Sequence, residues 1–162
     1  RIDEGNLFSV CYVDLDKFKA FNDKYGFKSG DEVIKNTARI LIRAVREKGK
    51  AQDFIGHIGG DDFVVVTIPE KTDAICKYVI KQFDDFIPSL YNQEDIKKGY
   101  IMGKDRQGVT KKIPLMSISI GVVSNKEHKI SHVAEIGEIG AGLKEYAKSL
   151  EGSNYVKERR HE

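Results

Sequence analysis

Asp53-Phe54-Ile55-Gly56-His57-Ile58-Gly59-Gly60-Asp61-Asp62-Phe63-Val64-Val65-Val66-Thr67-Ile68 contains two short apolar runs parted by a Gly-Gly-Asp turn. Runs of this length, rich in β-branched and aromatic residues and broken by glycine, predict a β-hairpin over 53–58 and 62–68. Pro69 stops the second strand, because it has no N–H for a ladder. Upstream, Leu7-Phe8-Ser9-Val10-Cys11-Tyr12-Val13-Asp14 is nearly continuous in apolar residues and ends on an acid. That is the pattern of a central strand covered on both faces. Between the two, Val33, Ile34, Thr37, Ala38, Leu41, Ala44 and Val45 recur at helical spacing, with Lys35, Arg39, Arg43 and Arg46 mostly opposite. The spacing predicts an amphipathic helix from about residue 30 to 48, opened by a Ser29-Gly30-Asp31-Glu32 capping box and closed by Gly49.

Beyond the hairpin, Ile75, Cys76, Val79, Ile80, Phe83 and Ile87 define a second helix from Thr72 to Pro88. Residues 89–113 have no steady period and read as a long loop or an inserted hairpin. Leu115 to Val122 alternates apolar with small residues, as a strand with one buried face does. A third helix starts at Ser131, with Val133, Ile136, Ile139 or Gly140, Leu143, Ala147 and Leu150 inward, and Tyr155-Val156 forms a short last strand. The order predicts one α+β domain over 1–162, a ferredoxin-like βαββαβ core with a mostly antiparallel sheet and helices packed on it. In that core the end of the first strand and the hairpin turn share one sheet edge.

Composition narrows the class. At 162 residues the chain holds about one domain, and 40% hydrophobic with 32% charged residues describes an ordinary globular one. No apolar run approaches the ~20 residues that cross a bilayer. A net charge of +2 with interspersed signs gives no nucleic-acid or membrane patch; the run Lys157-Glu158-Arg159-Arg160 reads as a solvated tail. Cys11 and Cys76 lie in apolar segments and read as buried free thiols. Residues 1–6 carry no signal-peptide core, so the expected setting is the cytoplasm.

Asp14 ends a hydrophobic strand, Asp16 follows it, and Asp61 and Asp62 lie in the hairpin turn. Taken singly, each suits a turn acid bonding to backbone N–H groups. Gathered at one edge they repel unless a divalent cation sits among them, and magnesium suits a few carboxylates plus phosphate and water. Gly59 and Gly60 let a polyphosphate approach the backbone. Lys17 and Lys19, in what reads as a turn, suit phosphate oxygens. Asn22 and Asp31 offer an amide and a carboxylate for the edge of guanine.

The segments Asp14 to Gly26, Ser29-Gly30-Asp31, Ile58 to Phe63 and Ser117 to Val122 together resemble the GGDEF family of diguanylate cyclases, in order and spacing over roughly residues 7 to 150. The resemblance implies a palm-like fold that condenses two GTP into cyclic di-GMP and pyrophosphate. It implies that Asp14, the Leu15 carbonyl and Asp61 hold Mg2+ (or Mn2+), and that Lys19, Lys148 and the amides around Lys17 and Phe18 hold phosphates. Asn22 and Asp31 would read guanine, and Asp61, with Asp62 beside it, would help deprotonate the attacking hydroxyl. A homodimer is implied, since each domain binds one GTP.

Several positions depart from the family pattern. Asp62 replaces a Glu and is one methylene shorter. His57 stands where Arg is common and reads as a strand residue. Lys50-Ala51-Gln52-Asp53 replaces the Arg-x-x-Asp of the family's inhibitory product site, and Lys cannot make the two-pronged contact of Arg. Gly152-Ser153-Asn154 lacks a phosphate-binding Arg, for which Arg159 or Arg160 would substitute. The family's first helix is missing before residue 7, which reads as a domain cut from a longer sensory protein. These departures support a second reading, a degenerate domain that binds GTP or another nucleotide and regulates a partner without catalysis. A P-loop NTPase is excluded by the lack of Gly-x-x-x-x-Gly-Lys-Ser/Thr.

Overall fold

The computed structural model describes residues 6–126, 129–130 and 132–158. In chain order the elements are β1 (Ser9–Asp16), α1 (Phe18–Tyr25), α2 (Phe27–Lys48), β2 (Phe54–Gly59), β3 (Asp62–Thr67) and α3 (Pro69–Phe86). A 3-10 turn (Ile87–Leu90) follows, then α4 (Gln93–Lys98), β4 (Tyr100–Lys104), β5 (Thr110–Pro114), β6 (Ser117–Ser124), α5 (Val133–Ser149) and β7 (Asn154–Lys157). The main sheet runs β2-β3-β1-β6-β7, antiparallel except for β7, which lies parallel to β6. With α1 and the segment from α4 to β5 set aside, β1-α2-β2-β3-α3-β6 is the expected βαββαβ core, and α5 and β7 follow it. No helix among the described residues is long and apolar enough to cross a membrane.

Alternation along β1 decides what each face of the sheet meets. Cys11, Val13 and Leu15 enter the larger core with Val33 and Leu41 of α2 and Ile75, Val79 and Phe83 of α3. Val10 and Tyr12 face the other way, against Ile136, Ile139 and Leu143 of α5. Asp14 and Asp16 continue that second face. Gly140 of α5 sits so close to Tyr12 that a Cβ there would lie 2.2 Å from its ring, which seats the helix tightly on the sheet. Cys11 and Cys76 are buried and free, as expected.

Four local expectations need correcting. Residues 18–25, read as a turn, form α1; its N-cap Lys17 is left-handed (φ 67) and makes no side-chain cap, so no capping signal announced it. The capping box does not form, because α2 opens at Phe27 and Ser29 is already helical. Gly26 (φ 92) turns the chain directly from one helix into the next. Pro69 ends the hairpin but also begins α3, three residues before Thr72, as the first-turn proline that a helix tolerates. The fourth β-run spans 117–124 rather than 115–122, and the last strand is 154–157. Segment 89–113 holds α4 and a separate β4–β5 hairpin, matching the hairpin alternative. Ser131, predicted to start α5, lies outside the described residues, as do Arg159 and Arg160.

Candidate active site at the sheet edge

The β1–β3 register places Asp14 opposite Asp62, and the Leu15 N–H donates to the Asp61 carbonyl at 3.3 Å. Backbone pairing alone therefore brings the strand end and the turn together. Asp14, Asp61 and Asp62 each offer a carboxylate oxygen, and these oxygens lie within 4.8 Å of one another. Asp14 is only 7% exposed. Among the described residues, Oδ1 of Asp14 and Oδ1 of Asp62 are buried without a hydrogen-bond partner. Orphaned buried oxygens are costly, and a hard divalent cation is a ligand that these two carboxylates, with Asp61 beside them, would fit. Burial pushes the Asp14 carboxyl up to about 6, an effect opposed by Lys148 and reinforced by the charges of Asp62 and Asp61.

The opposing charge comes from α5, where Lys144 and Lys148 are one turn apart and share a face. Lys148 Nζ donates to Asp16 Oδ1 at 2.8 Å and lies 3.1 Å from Asp14 Oδ2. Burial works against its ammonium, yet Asp16 and Asp14 raise its pKa above the ordinary lysine value. Lys144 Nζ stands 3.6 Å from both Asp14 Oδ2 and Asp62 Oδ1. Asp16 is held apart from the triad: its Oδ2 accepts the hydroxyls of Ser117 at 2.6 Å and Ser119 at 2.7 Å. It anchors β6 and α5 to β1.

A cleft of about 720 Å³ opens beside the triad, lined by Asp14, Leu15, Lys17, Phe18, Lys19, Asp61 and Lys148. The bend at Lys17 presents the first N–H groups of α1, beginning with Phe18, which have no partner inside the helix. Lys19 is exposed and pairs with Asp23 at 3.0 Å. The remaining wall is the β4–β5 hairpin, through Lys104, Arg106 and Gln107. Sequence reasoning missed Lys144 and these hairpin residues. The i,i+4 spacing of Lys144 and Lys148 beside inward Gly140 was the available signal for the first; nothing local marked the others.

Other predicted residues lie outside that cleft. The Asn22 carboxamide packs against Gly30, where a Cβ would stand 1.7 Å from Oδ1, and that Oδ1 is buried with no partner among the described residues. Asp31 follows Gly30 directly and is exposed. An unsatisfied acceptor beside a free carboxylate is a donor-seeking pair. Gly59 and Gly60 are exposed, with nothing within 4 Å of where their side chains would begin. His57 stacks on Phe63 with ring centroids 4.5 Å apart and bonds through Nε2 to the Gly60 carbonyl at 3.1 Å, so it closes the turn. Asp53 Oδ2 accepts the Lys50 N–H and the Thr67 hydroxyl, both at 2.8 Å, while the Lys50 side chain is exposed. That pair ties the α2–β2 corner together, and their side chains do not meet.

Comparison with known proteins agrees with this geometry. The family described as "Diguanylate cyclase, GGDEF domain" matches residues 2–103. Diguanylate cyclase DosC of Escherichia coli strain K12 is 36% identical over 62 residues, which cover 38% of this chain and 13% of that protein. The bifunctional diguanylate cyclase/cyclic di-GMP phosphodiesterase MucR of Pseudomonas aeruginosa is 40% identical over 74 residues, 45% of this chain and 10% of that protein. The matched stretches are thus a small part of those relatives. Among solved structures, the active GGEEF domain of a Vibrio cholerae diguanylate cyclase superposes with a TM-score of 0.68 at 19% identity, covering 96% of this chain and 86% of that one. The GGDEF domain of DgcB from Caulobacter crescentus, in complex with c-di-GMP, gives 0.65 at 18% identity, covering 96% and 80%. With the family's profile spanning the whole segment from β1 through the acidic turn, this chain belongs to the GGDEF-domain family of diguanylate cyclases.

Proposed function

We propose that this domain condenses two GTP into cyclic di-GMP with release of pyrophosphate, as a cytoplasmic homodimer using Mg2+ (or Mn2+). The observation that carries the reading is the acid triad, with Oδ1 of Asp14 and of Asp62 lacking hydrogen-bond partners among the described residues, beside a cleft walled by lysines. Asp14, Asp61 and the Leu15 carbonyl would hold the cation, with Asp62 alongside. When bound, it supplies positive charge that offsets the carboxylates and draws phosphate oxygens into the site. Asn22 and Asp31 take the guanine edge, and Lys17, Lys19, Lys148 and the opening amides of α1 hold phosphates. In the reaction, the 3′-oxygen of one GTP bonds to the α-phosphorus of the other. The bond from that phosphorus to the bridging oxygen breaks, pyrophosphate leaves, and Asp61 receives the hydroxyl proton. Each copy presents one nucleotide, so two copies face each other.

A second reading, binding without turnover, is favoured by two observations. Lys144 reaches two of the three acids, and Asp62 is short. Incubation of demonstrated dimer with GTP and magnesium decides between them, with Asp61→Ala as control. Cyclic di-GMP and pyrophosphate from the parent chain alone support the cyclase. Bound GTP with no product from the dimer sinks it and leaves a nucleotide-binding module.

A further inference from the structure

The α5–β7 connection supplies no cation to the cleft. At the position where the family pattern places a phosphate-binding Arg, Ser153 accepts from the Ile118 N–H at 3.0 Å and donates to Asp84 Oδ1 at 2.5 Å. Its hydroxyl joins α3 to β6 and is committed to the scaffold. The β4–β5 hairpin occupies the opposite wall, and its tip is strongly cationic for its length: Lys104-Asp105-Arg106 with Lys111 returning beside it.

The hairpin's one acid is occupied by its own turn. Asp105 Oδ1 accepts the N–H groups of Gln107 and Val109, both at 2.9 Å, and Oδ2 lies 3.7 Å from Lys111. Lys104 and Arg106 are exposed, and neither has an ion pair or side-chain hydrogen bond among the described residues. They are therefore free cations on the rim of a cleft whose floor holds Asp14, Asp61 and Lys148.

The base of the insertion is bolted to α1. Lys24 Nζ donates to both oxygens of buried Asp95 at 2.8 and 2.6 Å, and the Tyr25 hydroxyl donates to the same carboxylate. The Asn92 N–H donates to the Tyr25 hydroxyl at 3.1 Å. Tyr91 stacks edge-on against Phe21 and Tyr25, with centroids 5.2 and 5.4 Å away. Ile101 of β4 and Ile113 of β5 are buried in the main core. A hairpin fixed at its base in this way delivers its tip to one place, and charge held there is preorganised.

We propose that Lys104 and Arg106 form a phosphate clamp, supplying from the insertion the cationic contacts to a triphosphate chain that the α5–β7 connection lacks. The clamp rests on the nucleotide reading above, but it recognises phosphate rather than base. Arg offers a planar fork for two phosphate oxygens, and Lys a point charge beside it.

The test is calorimetric titration of the intact domain with magnesium and three probes: inorganic tripolyphosphate, GTP and GMP. Arg106→Ala should weaken tripolyphosphate and GTP about tenfold, and the Lys104→Ala/Arg106→Ala double variant further, with GMP unchanged. Arg106→Lys should recover part of the loss. Both side chains are exposed, so melting temperatures should stay at the parent value. Undiminished tripolyphosphate binding by the double variant overturns the clamp, as does an equal loss for GMP. Failure of the parent chain to bind tripolyphosphate overturns it too. If the clamp behaves as expected but a parallel titration shows GTP held no better than ATP, the guanine reading fails and the clamp stands.

Discussion

The two walls of the cleft are assembled in different ways. The acidic wall comes from neighbouring strands, with Asp14 opposite Asp62 in the ladder and Asp61 tied to Leu15 by a backbone bond. The cationic wall comes from afar: Lys144 and Lys148 arrive on α5, and Lys104 and Arg106 on a separate two-stranded sheet. Register fixes the first wall to within a fraction of a residue, because a slip by one would turn every β3 side chain to the other face. The second wall depends on how whole elements seat. Strand register thus holds the acids, while the cations depend on the seating of α5 on the sheet and of the insertion on α1.

Removing charge from each wall should have opposite effects on cation binding. Asp14→Asn should lower Mn2+ affinity by at least the roughly 100-fold that outer partners of a metal ligand can cost, read by calorimetry or Mn2+ resonance. Lys144→Met should raise it about tenfold, since the ammonium 3.6 Å from two of the acids repels an incoming cation. An unchanged affinity in the Lys144 variant would mean that the two walls do not communicate through charge.

The pH dependence follows from Asp14. Its carboxyl lies at about 6 in the folded chain against an ordinary 3.8, so near pH 5 it is largely protonated and a poor cation ligand. Apparent Mn2+ affinity should therefore climb as pH rises through about 6 and level off above 7. Asp62→Asn should move the midpoint down and Lys148→Met should move it up, because the first raises and the second lowers that pKa. A flat profile between pH 5 and 7 would contradict this.

The smallest expected effect is on Asn22 and Asp31, the proposed base-reading pair. Gly30→Ala should push the Asn22 carboxamide aside and weaken GTP several-fold, lowering its preference over ATP. Within α2 alanine gains up to about 1 kcal/mol over glycine, but its Cβ would stand 1.7 Å from Asn22 Oδ1 and 2.8 Å from Cγ, so displacing the carboxamide offsets that gain. Binding and melting curves then separate the two consequences.

The acidic wall was legible in the sequence, and the cationic wall mostly was not. The apolar runs around Asp14 and Phe63 locate β1 and β3, although β1 spans 9–16 rather than 7–14 and runs two residues past Asp14, and short connections leave one sensible pairing. Lys148 was found only through a family motif. Lys144 escaped because its meaning depends on α5 lying across Tyr12, a contact set by Gly140. α1 escaped because eight residues with a left-handed lysine at the N-cap carry no start signal. In the same stretch, Ser29 and Glu32 imitate a helix start inside a helix already under way. The inserted hairpin was readable as a departure from periodicity, but its docking on α1 rests on Asp95, Tyr91 and Tyr25, whose separation in sequence hides their contact.

Lys148 bridges Asp14 and Asp16, and the two ends of that bridge are unequal. Asp16 retains the hydroxyls of Ser117 and Ser119 if the lysine departs, whereas Asp14 Oδ1 has no partner to fall back on among the described residues. On the proposed function, the ammonium would be able to turn toward a phosphate without unfastening β6 from β1, which Ser117 and Ser119 still hold through Asp16. The ammonium's departure would leave Lys144, 3.6 Å away, as the remaining cation beside Asp14. On the nucleotide reading, the Lys148 side chain would work as a placeholder, offsetting part of the carboxylate charge until a ligand brings its own.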